Sequence, residues 1–487
     1  MLRLPESGWQ RNLLALMLGA SGVLAFAPFN LFWLAPAVWM GWFLLLRAAP
    51  NPRAAALNGF CFGAGFFLAG TSWVYVSLSV FGGMPWWLAG TATLLFCATL
   101  ALLPTLAGLV FKHWQPAEAW RQALWFGTLC FAADWLRGWL FTGFPWLALG
   151  YSQTPPSPLA GWAPLLGVYG LSLLIATLGA GLAHWRVGIP LLFGFAAAGW
   201  GLQQIEWTQP HGAPVSVALV QGNIPQDLKF RPEQYVRTLR SYHALIETHP
   251  AQLTVLPETA FPAFFDQLPP EYLESLRRLA QRQKGDLLFG VPTGEGRHYW
   301  NSAVSLGASP EQRYHKQHLV PFGEFIPPGF GWFLAMAQIP LSDFARGGTQ
   351  QAPLALAGQQ VAVNICYEDA FGEEIIAALP QATLLVNLSN TAWFGRSLAQ
   401  PQHLQIAQMR ALETGRPMLR ATNTGMTAVL TAKGGIQAVL PPFTTAVLQA
   451  EVRGHRGLTP FARWGNGLAL ALGLAGLLAV SVRRKTK

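Results

Sequence analysis

Three residues in the second half of the chain have the types and the setting for covalent chemistry. Cys366, in "VAVNICYED", is the only cysteine after residue 130, so it cannot be half of a disulfide within its own segment. Glu258 follows another strand-like run in "TVLPETAFP", and Lys316 lies between the two in "RYHKQHLVPFGEFIP". A thiol at the end of a buried strand, with an acid after another strand and a lysine between them, suits a nucleophile. Taken singly, each has a plainer reading: a core cysteine, a solvated acid or helix cap after Pro257, a surface lysine. Their conjunction favours the chemical one, since Glu258 and Cys366 each end an apolar strand, where α/β sheets gather side chains around ligands. A zinc site built on His315 and His318 is a rival for the central segment, but no further ligand cluster has metal spacing.

The elements that must position these residues lie between residues 214 and 455. "VSVALVQGNI", "TVLPE", "DLLFGVP", "NSAVSLG", "QVAVNICYE", "TLLVNLSN", "PMLRATNTG" and "TAVLTAKGG" are short β-rich runs. Helical patterns such as "PEQYVRTLRSYHALIETH", "PEYLESLRRLAQRQ" and "AQPQHLQIAQMRALETG" separate several of them. This alternation predicts an α/β domain with some uninterrupted strand pairs. The segment is long enough for one large core. It carries no repeat, P-loop or dinucleotide fingerprint.

The rest of the chain is of another kind. Of 487 residues, 52% are hydrophobic, 11% charged and 21 are Trp, which excludes a wholly soluble protein and points to a membrane protein with a soluble part. Up to Glu206 there are only eight basic and four acidic residues, leaving 24 of 32 and 18 of 22 for the remainder. Stretches long enough to span a membrane run at about 12 to 28, 31 to 46, 54 to 80, 85 to 111, 119 to 138, 163 to 185 and 187 to 205, with an eighth at about 465 to 482. The second is short and interrupted by Pro36. The first is read as an uncleaved span, because another follows at once. The expected division is a seven-span bundle over 1–207, a polar catalytic domain over 214–455 and a C-terminal span over 465–482.

Lys and Arg in the short loops set the orientation. Arg3, Arg11, Arg47, Arg53, Lys112, Arg121, Arg186 and four basic residues at the end of the chain flank alternate spans. "FGGM" at 81–84 and residues 139–162 have no Lys or Arg. Both termini are therefore expected in the cytoplasm and the polar domain on the far side. The net charge of +10 is explained by these flanks and does not point to nucleic acid. Cys61, Cys97 and Cys130 lie in apolar spans and read as packing residues. Asp134 and Arg137 can pair on one helix, either as a functional site or to orient the aromatic, Pro-rich loop that follows. That loop reads as re-entrant or interfacial.

The order of Glu in "LPET", Lys in "HKQHLVPFGE" and Cys in "NICYED" resembles the Glu-Lys-Cys triad of the nitrilase, or carbon-nitrogen hydrolase, superfamily. With "LVQGNIPQ", "SNTAWFG", "TGFPW" and eight spans, the resemblance narrows to the apolipoprotein N-acyltransferase family and covers nearly the whole chain. It implies a polytopic α-helical membrane bundle of about eight spans plus an α/β nitrilase-like domain, an αββα sandwich, periplasmic at a bacterial inner membrane. It further implies acyl transfer through a Cys366 thioester, with Glu258 as general base and Lys316 as oxyanion stabiliser. Glu324 would orient Lys316 or Glu258, and Tyr367 and Glu368 match positions needed for activity. The implied donor is the sn-1 chain of a phospholipid, commonly phosphatidylethanolamine. The acceptor is the α-amino group of the S-diacylglyceryl cysteine of an apolipoprotein. No cofactor or metal is implied. Trp393 and Phe394, with the loop near 140–150, are candidates for a mobile lipid-contacting rim. One departure is Phe230, where family members often have Trp; an aromatic packing role is still expected. A membrane-tethered amidase, and a transporter or scaffold with a degenerate hydrolase domain, are the competing readings.

Overall fold

The computed structural model describes Pro5, residues 7–327, Gly329 and residues 343–481; Arg3, the basic residues that close the chain and the last position of the eighth expected span lie outside them. The chain divides into two compact units. One comprises the described residues of Met1–Tyr75, Pro85–Glu206 and Arg463–Lys487, the other Val76–Met84 and Trp207–Ala462.

The first unit is helical: α1 (Gly8–Gly22), α2 (Leu34–Ala48), α3 (Pro52–Thr71), α4 (Trp86–His113), α5 (Ala119–Arg137), α6 (Ala163–Leu182), α7 (Trp185–Gln203) and a C-terminal helix, Gly467–Ser481. A helix occupies each expected stretch, but among the described residues four segments are long and apolar enough to cross a membrane: Pro52–Thr71, Trp86–His113, Pro158–Leu182 and Trp185–Gln203. The protein is thus a membrane protein with several apolar helices. Pro36 does not interrupt α2; it stands in its first turn, where no helical N–H is required. Asn51 caps α3 by accepting from the Ala54 amide at 2.9 Å, with Pro52 at the first helical position. This helix stops at Thr71, short of the expected residue 80. Close helix contact is made at glycine: a Cβ on Gly59 would stand 2.3 Å from the Pro104 carbonyl oxygen of α4.

The loop after α5 is largely inside this unit. Arg137 pairs with Asp134 at 2.7 Å and donates to the carbonyls of Phe144 and Trp146, while Asp134 accepts from the Leu149 amide and the Ser172 hydroxyl. The pair therefore satisfies irregular backbone that an apolar setting would otherwise penalise, which is the orienting role. Trp139, Leu140 and Phe141 are exposed, whereas Trp146 to Tyr151 are buried, so only the start of the 140–150 loop presents apolar side chains outward.

The second unit contains two six-stranded sheets. In one the order is β12-β1-β2-β3-β4-β5, formed by β1 (Thr208–Gln221), β2 (Leu253–Val255), β3 (Asp286–Glu295), β4 (His298–Gly307), β5 (Arg313–His315) and β12 (Ala446–Gly457). The other runs β11-β10-β9-β8-β7-β6, from β6 (Leu354–Leu356), β7 (Gln359–Ile365), β8 (Leu384–Ser389), β9 (Met418–Thr422), β10 (Ala428–Leu430) and β11 (Ile436–Val439). The central strands β1, β2 and β3 are parallel, as are β7, β8 and β9, while β1 and β12 pair antiparallel from Thr208↔Gly457 to Gln221↔Ala446.

Alternation along these strands divides their side chains between two faces. Val217, Leu219 and Val255 pack with Ile365, Val386 and Leu419 in a core between the sheets. The opposite face of the first sheet packs with α8 (Pro232–Thr248) and α9 (Pro270–Arg282), through Leu239, Tyr242 and Leu276 against Leu287 and Phe289. Helix α10 (Ala399–Thr414) covers the second sheet through Leu404, Ala407 and Ala411. The result is the four-layered αββα sandwich.

Candidate active site

Each sequence-predicted triad residue is set just beyond a strand. The chain leaving β2 stays pinned beside β3, with the Leu256 amide on Leu288 O and the Ala260 amide on Gly290 O, both at 2.8 Å. Gly290 makes this possible, since a Cβ there would lie 2.5 Å from the Glu258 Cα. Lys316 follows β5, its amide donating to Asn301 O on β4 at 2.8 Å. Cys366 begins the turn after β7 and has φ +54°, a left-handed conformation that costs a cysteine about 1–3 kcal/mol and persists only where the surroundings fix it.

The surroundings hold it there. Asn387 Nδ2 donates to the Cys366 carbonyl at 3.1 Å, and Asn387 Oδ1 accepts from Arg420, which also binds Asp369 at 2.8 Å. His403 Nε2 lies 2.8 Å from the other Asp369 oxygen. Helix α10 reads as polar yet is almost wholly buried: His403 serves the turn that carries the thiol, while Gln400 donates to Thr391 O, Gln408 to Gly434 O, and Arg410 pairs with Glu413.

Around the thiol, four side chains form one cluster. Lys316 Nζ is 2.9 Å from Glu324 Oε1 and 3.4 Å from Glu258 Oε1. The Asn301 amide donates to both carboxylates at 2.8 Å. The second Glu258 oxygen accepts the Asn390 backbone N–H at 2.8 Å, and the second Glu324 oxygen that of Val320 at 2.8 Å. Burial works to lower the Lys316 pKa, but Glu324 and Glu258 more than offset it, so the lysine is held above its ordinary range and stays cationic. Burial pushes the Cys366 thiol up, Glu258 pushes it further, and Lys316 only partly opposes them. The resting group is therefore the thiol, and attack requires a base to remove its proton as the new bond forms.

Glu368 lies in the same turn but faces another way. It accepts from Tyr314 Oη, from the Gln317 and His318 amides and from the Ile365 amide at 2.6 Å, tying the end of β7 to the segment that carries Lys316. Burial lifts it to about 7 against the pull of Lys316 and these donors. Tyr367 packs its ring against Phe371 and His318. His315 and His318 have separate partners, Ser302 Oγ at 2.8 Å and Glu374 Oε1 at 2.7 Å. Trp393 and Phe394 sit in the turn directly after Asn390; the Trp393 carbonyl accepts from Ser77 Oγ at 2.8 Å and its ring meets Phe81 edge-on. Phe230 is 40% exposed, at the surface beside the site.

A family profile of the apolipoprotein N-acyltransferase N-terminal domain matches residues 18–181, and one of the carbon-nitrogen hydrolases matches 216–457. An apolipoprotein N-acyltransferase of Nitrosomonas europaea is 52% identical over 99% of this chain and 100% of its own length. Those of Ralstonia nicotianae and Chromobacterium violaceum are 49% and 46% identical, covering 97% and 96% of this chain and 93% of each relative. The chain belongs to the apolipoprotein N-acyltransferase family. Membership sets aside the amidase and scaffold readings, since these relatives match helices and sandwich together.

Sequence reasoning did not pick out four polar residues at the candidate site of this N-acyltransferase: Asn301, Asn390, Asn387 and Lys229. Asn301 and Asn387 sit in ordinary strand runs with nothing local to distinguish them, whereas Asn390 lies in the "SNTAWFG" motif and meets Glu258 from the end of a strand in the other sheet. Lys229 stands three residues beyond "LVQGNIPQ", the motif noted above, and is as buried as Lys316.

Proposed function

We propose that Cys366 carries the acyl group of this N-acyltransferase as a thioester, with a membrane phospholipid as donor and the α-amine of a diacylglyceryl apolipoprotein as acceptor. In the first half-reaction Glu258 takes the thiol proton as sulfur attacks the ester carbonyl. Lys316 and backbone N–H groups after Cys366 stabilise the oxyanion. Collapse expels the lysophospholipid alkoxide, which receives the proton from Glu258. In the second, the acceptor amine attacks the thioester carbonyl, Glu258 removes a proton from nitrogen, and the departing sulfur is reprotonated as the amide forms.

The observation that carries this reading is the cluster in which Glu258, Lys316 and Glu324 share the Asn301 amide beside a protonated thiol. It supplies a fixed base and a fixed cation without preforming a thiolate. Glu324 balances the lysine charge, leaving Glu258 held by only part of it. The apolar helices suit a donor and acceptor that both carry acyl chains. We read all eight helices as spans, with both termini cytoplasmic, the sandwich periplasmic, and Trp393, Phe394, Leu140 and Phe141 as lipid-contacting side chains.

Incubation of the full chain with phosphatidylethanolamine and no acceptor should add one acyl mass to Cys366, removable by hydroxylamine. Glu258→Gln should acquire none. Unmodified Cys366 in the wild type would overturn the thioester, and normal thioester formation in Glu258→Gln would overturn the base.

A further inference from the structure

Two lysines are buried at this site, and they are treated differently. Lys316 has two carboxylates within ion-pair distance. Lys229 is 2% exposed, and its one hydrogen bond among the described residues goes to the backbone carbonyl of Glu258, at 3.3 Å. An ammonium has three donors and no acceptor. A single long bond to a neutral oxygen leaves two of them unused in a place where unpaired charge is expensive. Burial accordingly draws Lys229 down to about 8, against the nearby charge of Glu258.

The loop that carries Lys229 is built rather than loose. The Ile224 amide binds Asn423 Oδ1 at 2.9 Å, and Asn423 Nδ2 returns to the Ile224 carbonyl at 2.8 Å. Gln226 Oε1 accepts from Asn390 Nδ2 at 2.8 Å, and the Asn390 backbone N–H is the group that holds Glu258. Lys229 is thus fixed to the base through its own hydrogen bond and through the loop, with donors to spare. Phe230, the next residue, is exposed beside it.

We propose that Lys229 binds the phosphate of the acyl donor, its free N–H groups supplying the anion contact that positions the ester beside Cys366. This rests on the phospholipid donor proposed above. Of the two substrates only the donor bears an anion a few bonds from the reacting ester; the diacylglyceryl cysteine head has esters, a thioether and an amine, but no phosphate. A phosphodiester restores the counter-charge that Lys229 lacks and Lys316 has. Lys229 is then a binding residue for the first half-reaction.

The test compares thioester formation on Cys366 from phosphatidylethanolamine and from diacylglycerol with the same acyl chains, in the same mixed micelles and with the full-length protein. Losing a charge-assisted contact should lower the phospholipid-to-diacylglycerol rate ratio roughly tenfold to a hundredfold in Lys229→Met. A merely structural role through Glu258 would slow both donors alike, and an unchanged ratio overturns the proposal. Should Lys229→Met not fold, the wild type still decides, because equal rates from the two donors would mean that no phosphate is bound. A wild type that forms no thioester from phospholipid sinks the donor reading itself, whereas wild-type thioester with an unchanged ratio in the variant sinks only the role of Lys229.

Discussion

Lys316 stands 2.9 Å from the part-buried carboxylate of Glu324 and 3.4 Å from the buried one of Glu258, so its removal does two things at once. Lys316→Met should slow thioester formation about a hundredfold to a thousandfold, as the loss of an oxyanion donor does. It should also leave two acids sharing one amide, a loss of about 3–5 kcal/mol of the kind seen when a buried pair is broken. Adding Glu324→Gln should return part of that stability, read by thermal unfolding, and none of the activity. Lys316→Arg should not rescue, because a planar guanidinium cannot place a point donor where the ammonium was. Normal acylation in folded Lys316→Met protein would leave the oxyanion to backbone amides. Glu258 and Cys366 were legible as candidates because each follows an apolar run that ends abruptly in polar sequence, and Lys316 only through the motif that surrounds it. Asn301, Asn390 and Lys229 were not: their polar settings are what exposed loops and strand ends also look like. Only folding brings them to Glu258, with Asn301 coming from the same sheet, Lys229 from the loop after its strand β1 and Asn390 from the end of a strand in the other sheet.

At the scale of elements, Glu368 acts as a fastener between β7 and the chain after β5. Every contact it makes is to a donor: one phenol and three backbone N–H groups. Glu368→Gln must turn an NH₂ toward some of them, so we expect a loss of about 1–3 kcal/mol, and slower acylation because Cys366 and Lys316 are no longer held in register. A variant that melts and acylates like wild type would show that the segment is fixed by other contacts. Strand and helix alternation identified most of the sandwich, because buried parallel strands give short continuous apolar runs. The same periodicity missed the break at residues 72–73, after which the chain is helical again over Val74–Val76 and Ser77–Phe81, and misjudged the effect of Pro36, since apolar composition runs on through a break and a proline's harm depends on its turn. Neither could composition reveal that α10 is buried, as its polar side chains are consumed by a network that only the folded chain assembles.

For the whole molecule, the clearest expectation is orientation. Arg47, Arg53, Lys112, Arg121 and Arg186 alternate with loops bare of Lys and Arg, so a reporter fused near residue 300 should lie outside the cytoplasm and one fused after Lys487 inside. Cytoplasmic labelling of the first would overturn the arrangement. The sandwich also closes on itself: Thr208 and Gly457 are register partners, so the chain enters and leaves it on neighbouring strands about 5 Å apart. The entropy of joining two chain ends grows with the length of free chain between them, and here the β1–β12 ladder has already absorbed it. To α7 and the C-terminal helix, the intervening polypeptide therefore counts as a hairpin-sized link. Their effective concentration for each other is set by that ladder, and loops elsewhere in the sandwich can lengthen or shorten without diluting it.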